Sequence, residues 1–314
     1  MYILLSSLLL LFLFLVLGWI ADFAVTHIKY IGSVLWIKLF AFWILLGFVT
    51  TLPEFSLGIN ATLDNVATIS VWYLFGGIIV TLGLILGLSL VLNKHIHTDS
   101  HLRSLIPTVL VLFAPIFLGM DGEYGLWDGL GMIFLYIGLV FYLYRFSRHS
   151  HPIGIEIYNK NKIVKSVLFS IVGVIWILVT SHFIVETTVH LFKYFNISQL
   201  LMGLLVFSIG TNLPEISIAL TSWRKKTSEL SLSHLLSSAF TNVLVLGILS
   251  FMQPIVFEVN ATYWIMSIFL AVTLILFTYF YHSNRDMDRV EGAVLIGVYG
   301  LFLVVNAVFL GTIV

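Results

Sequence analysis

Long apolar runs recur along the whole chain, and their lengths restrict its fold more than any other feature of the sequence. A transmembrane helix needs about 20 predominantly apolar residues. Ten such runs are present, at 3–24, 35–63, 69–92, 104–120, 126–145, 165–189, 199–223, 229–250, 260–281 and 289–312. Since 60% of the 314 residues are hydrophobic and 10% are charged, the composition is not that of a soluble domain. We therefore predict an all-α integral membrane protein with ten transmembrane helices.

Basic residues are distributed unevenly between the two sets of loops that ten spans create. Fourteen of the 15 Lys and Arg residues fall on one side, and only Lys193 falls on the other. Cytoplasmic loops of membrane proteins collect Lys and Arg, so the basic side is assigned to the cytoplasm. We therefore expect a multi-pass protein of the cell membrane, with both termini outside and a cytoplasmic linker at 146–163.

The polar stretch 146–163 divides the chain into two halves of five spans each, 1–145 and 164–314. Because five is odd, two related halves must cross the membrane in opposite directions, which is the inverted-repeat architecture of many secondary transporters. The relation is visible when GFVTTLPEFSLGINATL (47–63) is laid over SIGTNLPEISIALTSWR (208–224). Both segments carry a threonine and the triplet Leu-Pro-Glu at the same positions. We therefore predict two inverted five-helix repeats.

Each Leu-Pro-Glu triplet puts a helix breaker next to a carboxylate inside an apolar run. A proline removes one backbone donor and frees a carbonyl one turn earlier, and such a break at membrane depth survives only where it faces protein or a wet cavity. A carboxylate there costs several kcal/mol unless it is paired. An inverted pseudo-two-fold axis would bring Glu54 and Glu215 together near the midplane. Carboxylates, freed carbonyls and hydroxyls would then form a hard-oxygen site suited to calcium or sodium.

The two segments resemble the paired repeats of the cation/calcium antiporter superfamily, the sodium/calcium exchanger group, whose pattern is G-T-S-L-P-E followed by G-N-x-x-G-S-N-x-x-N. The second half follows this pattern through the stretch from Val185 to Gly247. The resemblance implies exchange of calcium for sodium by alternating access, with Glu54 and Glu215 as the principal cation ligands. It also implies that further oxygen ligands come from Thr50, Thr51, Thr211, Asn212, Ser238 and Asn242.

The first half departs from the family pattern. Its corresponding stretch reads VWYLFGGIIVT, so that Gly77 replaces the serine and Thr81 replaces the final asparagine. In the second half, His234 stands where the family has asparagine, and Asn212 where it has serine. The predicted site is therefore rich in oxygen ligands from the second half and poor in those from the first.

The register of the second motif has two solutions. Counting forward from Glu215 makes Asn242 the ligand, whereas counting back from Gly247 favours Thr241. We prefer Asn242, because that choice also keeps Ser238 in place. Ser238 and Asn242 are four residues apart and so lie on one helical face.

Other polar residues have simpler interpretations. His182 and Glu186 could form a proton relay, but we prefer an interfacial pair near the outer surface, and Asp22 is interpreted in the same way. His234 could accept a proton, although a packing hydrogen bond is preferred. The stretch KHIHTDSH (94–101) is interpreted as a solvated cytoplasmic loop rather than a metal site.

Several function classes are considered. An antiporter follows directly from two buried negative charges, because such a pair must cross the membrane with calcium or replacement cations bound. The sequence contains neither HExxH nor G-x-S-x-G, which are common enzyme motifs, so we expect no enzyme activity. We also expect no cofactor, with the transported calcium and sodium as the bound ions. Proton coupling in place of sodium coupling stays open, as does a non-transporting sensor or scaffold. We expect the partners to be calcium and sodium ions, or protons, and the lipid bilayer, without nucleic acid, and we expect a monomer.

Overall fold

The computed structural model describes residues 2–34, 47–48, 50–93, 95–97, 102–146, 160–195, 202–213, 215–216, 219, 223, 228–283 and 286–311. Within these residues the chain forms ten helices: α1 Tyr2–Val34, α2 Leu52–Leu63, α3 Thr68–Asn93, α4 Leu102–Leu118, α5 Leu126–Phe146, α6 Lys160–Phe195, α7 Ser208–Thr211, α8 Ser228–Met252, α9 Ala261–Ser283 and α10 Arg289–Gly311. Two π-helical turns are present among them, Val80–Ile85 inside α3 and Met202–Phe207 directly before α7.

Every predicted span contains one of these helices, which confirms the predicted all-helical fold. Seven of the described helices, α1, α3, α5, α6, α8, α9 and α10, are long and apolar enough to cross a membrane. The apolar part of α4 is shorter, at Leu105–Leu118. The helices α2 and α7 are parts of the predicted spans 35–63 and 199–223, of which residues 35–46 and most of 217–227 lie outside the described residues.

The first and sixth helices are longer than the sequence predicts. α1 has 33 residues and α6 has 36, which at 1.5 Å per residue gives about 50 Å, more than the hydrocarbon core of a bilayer. The predicted runs stopped near the polar residues at these helix ends. In the structure, polar side chains of α1 and α6 contact each other there, so both helices continue. The Lys162 Nζ atom lies 4.1 Å from the centroid of the Tyr30 ring, and His27 Nδ1 lies 3.4 Å from Ser166 Oγ.

The third and eighth helices form the centre of the molecule. In their apolar segments 83% of α3 and 78% of α8 are buried, against 29% of α1 and 28% of α6. A helix that is apolar on all sides is typically buried on all sides, and α3 reads TISVWYLFGGII in its first half. Residues of α2, α7 and the π turn Met202–Phe207 pack against this central pair.

Glycines let two pairs of helices cross closely. A Cβ atom added at Gly87 of α3 would lie 2.8 Å from the carbonyl oxygen of Gly292 of α10. A Cβ atom added at Gly129 of α5 would lie 2.7 Å from the carbonyl oxygen of Gly247 of α8. In the repeat, α3 corresponds to α8 and α10 corresponds to α5. The crossing of α3 with α10 therefore has a repeat-related counterpart in the crossing of α8 with α5. Small residues at helix crossings are the usual way in which membrane helices approach.

Two β-ribbons join loops from different halves. Strand β1 (His95–His97) pairs with β4 (Asp286–Asp288), and β2 (Glu123–Tyr124) pairs with β3 (Ile255–Val256), both antiparallel. In the repeat, the loop of β1 corresponds to the loop of β3, and the loop of β4 corresponds to the loop of β2. The ribbon β1–β4 is therefore the repeat-related counterpart of the ribbon β3–β2. Each ribbon also pairs loops that the charge distribution assigns to one side. The division at 146–163 stays a prediction, and residues 147–159 lie outside the described residues.

Candidate cation site

The helical paths of both Leu-Pro-Glu segments are interrupted at equivalent residues. Thr51, which precedes α2, has φ −88° and ψ 6°, and Asn212, which follows α7, has φ −83° and ψ 11°. These angles belong to the bridge region rather than to the α-helix. Pro53 lies in the first turn of α2, where the missing N–H has no helical partner to lose. Pro214 lies outside the described residues.

Glu54 and Glu215 follow these breaks, and both are buried, with 1% and 0% of their surfaces exposed. Their carboxylates are close enough to interact electrostatically. Ser238 Oγ donates a hydrogen bond of 2.8 Å to Glu215 Oε1. Among the described residues no group hydrogen-bonds either oxygen of Glu54 or the Oε2 atom of Glu215. Burying an ion costs several kcal/mol unless a partner meets its charge, so ionised carboxylates at these two positions require a compensating positive charge.

Threonine hydroxyls lie beside the carboxylates across the two halves. Thr50 lies near Glu215 and Thr211 lies near Glu54, in neither case within hydrogen-bonding geometry. Thr50 Oγ1 donates to Gly47 O at 3.1 Å, and Thr211 Oγ1 donates to Phe207 O at 2.9 Å. Because the hydroxyl hydrogens are used by the backbone, the oxygen lone pairs remain as acceptors.

Thr51 is also buried, and its hydroxyl donates to Phe48 O at 3.0 Å. No hydrogen bond among the described residues links Thr51 to either glutamate. His234 Nε2 lies 3.2 Å from Thr50 Oγ1. Either atom can donate in this contact, according to the tautomer of the imidazole.

The side chain of Asn212 ties the break after α7 to the π turn of α3. Thr81 Oγ1 donates to Asn212 Oδ1 at 2.8 Å, and Asn212 Nδ2 donates to Ser208 O at 2.7 Å. The structure therefore brings Asn212 into the site with both ends of its amide engaged. π turns are frequently found at functional positions in helices, and this one presents Thr81.

The structure places Asn242, and not Thr241, against α3. A Cβ atom added at Gly77 would lie 3.1 Å from Asn242 Nδ2 and 3.4 Å from Asn212 Nδ2. The Asn242 Oδ1 atom is buried and has no hydrogen-bond partner among the described residues. Thr241 instead donates to Ser237 O at 2.7 Å and interacts with Tyr136 of α5. The space next to Gly77 is thus filled by amides from the other half.

Sequence reasoning missed three contacts that shape this region. Gly47 packs against Ser237 of α8, and a Cβ atom added at Gly76 of α3 would lie 3.0 Å from Ser208 Cβ. Gly47 and Ser208 occupy the same position in the alignment of 47–63 with 208–224. A glycine in one half where the other half has serine could therefore have indicated a close helix contact at this position. Tyr73 OH donates to Glu54 O at 2.6 Å, a contact that no local pattern predicts.

Other polar residues that the sequence singled out lie away from the glutamates. Asp22 on α1 and both His182 and Glu186 on α6 are exposed. No hydrogen bond among the described residues connects them with Glu54 or Glu215. Of the stretch 94–101 the structure describes only 95–97, which form β1, and residues 224–226 lie outside the described residues.

The chain is similar to known proteins over nearly all of its length. The family described as sodium/calcium exchanger protein matches residues 5–145 and 165–308. Inner membrane protein YrbG of Escherichia coli (strain K12) is 26% identical over 265 residues, 81% of this chain and 82% of that protein. Sodium/calcium exchanger MaX1 of Methanosarcina acetivorans is 26% identical over 130 residues, 41% of this chain and 37% of that protein.

Two solved structures share the fold. The sodium-calcium exchanger NCX_Mj, soaked with Na+ and Sr2+, matches with a TM-score of 0.69 at 20% identity, over 96% of this chain and 98% of that chain. The H+/Ca2+ exchanger CAX matches with a TM-score of 0.75 at 16% identity, over 96% of this chain and 81% of that chain. At these identities the likeness establishes the fold alone.

Proposed function

Because the chain belongs to the sodium/calcium exchanger protein family, we propose that it exchanges calcium for sodium across the membrane. In this proposal Glu54 and Glu215 bind the transported ions, and the protein works by alternating access as a transporter without enzyme activity. The observation that carries the proposal is the pair of buried carboxylates, three of whose four oxygens have no hydrogen-bond partner among the described residues.

The chemistry of the surrounding groups suits calcium and sodium. Both are hard cations that prefer carboxylate, hydroxyl and carbonyl oxygens, and calcium takes about six to eight of them. The glutamates, the hydroxyls of Thr50 and Thr211, and the Asn242 Oδ1 atom supply oxygens of this kind. Cysteine is absent from the chain, so no thiolate is present to favour softer metals.

Buried charge explains why exchange is obligatory. If both carboxylates were ionised and held no cation, the closed state of the transporter would bury their charge without compensation, at a cost of several kcal/mol. The pair therefore changes the side of the membrane that it faces only when cations occupy it. The inverted repeat supplies the two related packings that such a change requires.

The test is calcium flux in proteoliposomes that contain the purified protein. An outward sodium gradient should drive calcium uptake, and a proton gradient of the same size, with sodium absent, should drive much less. Uptake driven by protons alone would overturn sodium coupling and favour proton-coupled exchange. If neither gradient moves calcium, the chain does not transport it, and a sensor or scaffold function would follow.

A further inference from the structure

We propose that Tyr73 of α3 is a positioning residue for Glu54, which it holds through the main-chain carbonyl group of that residue. The inference rests on the proposed function and assigns a role to a residue outside the predicted set of ligands. Three observations carry it: the hydrogen bond from Tyr73 to Glu54, the lack of a donor to the Glu54 carboxylate in the described part of the chain, and the packing of the tyrosine ring.

The two glutamates are held by different groups. Glu215 Oε1 accepts a hydrogen bond from Ser238 of α8. In the repeat, the residue of α3 that corresponds to Ser238 is Gly77, which has no side-chain donor. Neither carboxylate oxygen of Glu54 has a hydrogen-bond partner among the described residues. The direction of the Glu54 side chain therefore depends on how its main chain is held.

Tyr73 supplies a contact to that main chain. Its hydroxyl group donates to Glu54 O at 2.6 Å. This contact joins α3 to the first turn of α2, which follows the break in the helical path at Thr51. Groups that hydrogen-bond to a cation-binding residue commonly fix its orientation, and their loss weakens binding. The Tyr73 hydroxyl thus fixes the main chain from which the Glu54 carboxylate extends.

Gly58 leaves the space that this hydrogen bond needs. It follows Glu54 by four residues in α2, so its N–H is the usual helical partner of the Glu54 carbonyl group. A Cβ atom added at Gly58 would lie 2.8 Å from the hydroxyl oxygen of Tyr73. Because a carbonyl oxygen has two lone pairs, Glu54 O can accept from its own helix and from Tyr73 together.

Packing fixes the ring that carries the hydroxyl group. Tyr73 is fully buried, and its ring meets the ring of Phe207 edge-on, with centroids 6.0 Å apart and planes at 74°. Phe207 packs in turn against Phe14 of α1, with centroids 5.9 Å apart. Phe207 ends the π turn that leads into α7. Tyr73 therefore contacts the main chain of Glu54 in the first half and the approach to Glu215 in the second.

The residue that corresponds to Tyr73 in the second half also contacts the first Leu-Pro-Glu segment. That residue is His234 of α8, whose Nε2 atom lies 3.2 Å from Thr50 Oγ1. Tyr73 and His234 thus approach residues 50–54 from the two central helices. The family pattern has asparagine at both positions, so the side chains that make these contacts are particular to this sequence.

The test is the calcium concentration that gives half-maximal uptake into proteoliposomes, driven by an outward sodium gradient. Tyr73→Phe keeps the ring and removes only the hydroxyl group. Its half-saturating calcium concentration should rise about 2- to 10-fold, as the loss of one neutral hydrogen bond predicts, while the maximal rate of uptake changes much less. The calcium-dependent rise of the unfolding temperature in detergent reports binding without transport, and it should require calcium concentrations higher by the same factor.

Tyr124→Phe is the matched control. Tyr124 is also fully buried, and its hydroxyl group donates to a main-chain carbonyl group, that of Pro115, at 2.6 Å. This control should lower the unfolding temperature measured without calcium about as much as Tyr73→Phe does, but its half-saturating calcium concentration should equal that of the wild type.

Three results would overturn the positioning role and leave calcium–sodium exchange standing. They are a half-saturating calcium concentration unchanged in Tyr73→Phe, an equal rise in Tyr73→Phe and Tyr124→Phe, and a Tyr73→Phe protein that does not fold. Absence of calcium uptake by the wild-type protein would instead reject the proposed function, and the positioning role with it.

Discussion

At the scale of single residues, Glu54 and Glu215 combine complete burial with unused acceptor oxygens. A structural carboxylate at this depth would be expected to have its oxygens satisfied by donors. Glu215 has one such donor, Ser238, and Glu54 has none among the described residues. This incomplete satisfaction is the observation on which the proposed cation site rests.

Replacing either glutamate with glutamine should abolish calcium transport without unfolding the protein. The amide keeps the shape of the side chain but removes the charge that offsets a divalent ion. Calcium uptake into proteoliposomes is the measurement, with thermal unfolding in detergent as the check on folding. Glu186→Gln on the exposed face of α6 is the control and should retain most of the flux. Wild-type uptake in Glu54→Gln or Glu215→Gln would exclude these carboxylates as ligands.

Ser238→Ala should weaken apparent calcium affinity by roughly 10- to 150-fold, because a hydrogen bond to a charged group contributes about 1.5–3 kcal/mol. The substitution removes the donor to Glu215 Oε1 together with a hydroxyl oxygen close to the site. Ser250→Ala is a matched control on the same helix, since Ser250 is buried and, within the part of the chain that the structure describes, donates only to Leu246 O. Calcium dependence of the initial uptake rate should change for Ser238→Ala alone. Equal effects of the two substitutions would assign Ser238 a packing role.

At the scale of elements, the central helices α3 and α8 are held against α10 and α5 by backbone contact at glycines. The Gly87–Gly292 and Gly129–Gly247 crossings leave no room for a side chain. Because α3 carries Gly77 and Thr81, and α8 carries Ser238 and Asn242, these crossings fix the helices that form the two sides of the site. A change at either crossing would therefore act on the site by displacing a whole helix.

Gly292→Val should destabilise the protein by about 1–3 kcal/mol, as overpacking of a dense contact does. A Cβ atom there would lie 2.6 Å from Leu90 Cβ and 2.8 Å from Gly87 O. Gly297→Val is the matched control on α10, because an added Cβ atom at Gly297 meets nothing within 4 Å. Thermal unfolding in detergent compares the two. A Gly292→Val variant as stable as Gly297→Val would show that α3 and α10 do not approach as closely as described.

At the scale of the whole molecule, the two β-ribbons lie in loops that the inverted repeat exchanges. Each ribbon joins a loop of the first half to a loop of the second half. In β1 and β4 the central residues Ile96 and Met287 are buried, so this ribbon also packs against the helices. The halves are therefore connected at two loop pairs as well as through the central helices.

Cysteines introduced at Ser150 and Ser283 should be labelled from the cytoplasmic side alone, because fourteen of the 15 basic residues assign these loops to the cytoplasm. The chain has no native cysteine, so labelling reports only the introduced site. Asn65→Cys and Gln253→Cys lie in exposed turns that the same charge distribution assigns to the outside, so they should react with an impermeant reagent on intact cells. Reaction of the Ser150 or Ser283 variants under those conditions would reverse the proposed orientation.

The number of helices, their inverted relation and the pair of glutamates were predictable from the sequence. A long apolar run specifies a transmembrane helix, because a helix satisfies all its backbone hydrogen bonds inside the bilayer. The motif repeated in two halves of five spans reveals the inverted two-fold relation. Helix ends were less predictable. The sequence prediction ended α1 at residue 24, whereas contacts such as that between Tyr30 and Lys162 accompany a helix that continues to Val34.

By itself, the sequence determined that this chain forms a bundle of membrane helices and that Glu54 and Glu215 occupy equivalent places in its two halves. Only the tertiary structure decided which polar groups surround those carboxylates. It places Asn242 rather than Thr241 against α3, and it shows hydrogen bonds from Thr81 to Asn212 and from Ser238 to Glu215. The physical reason is that apolar length and repeat position are local properties of the chain. A hydrogen bond between helices depends on their rotation and separation, which are set by packing at distant glycines.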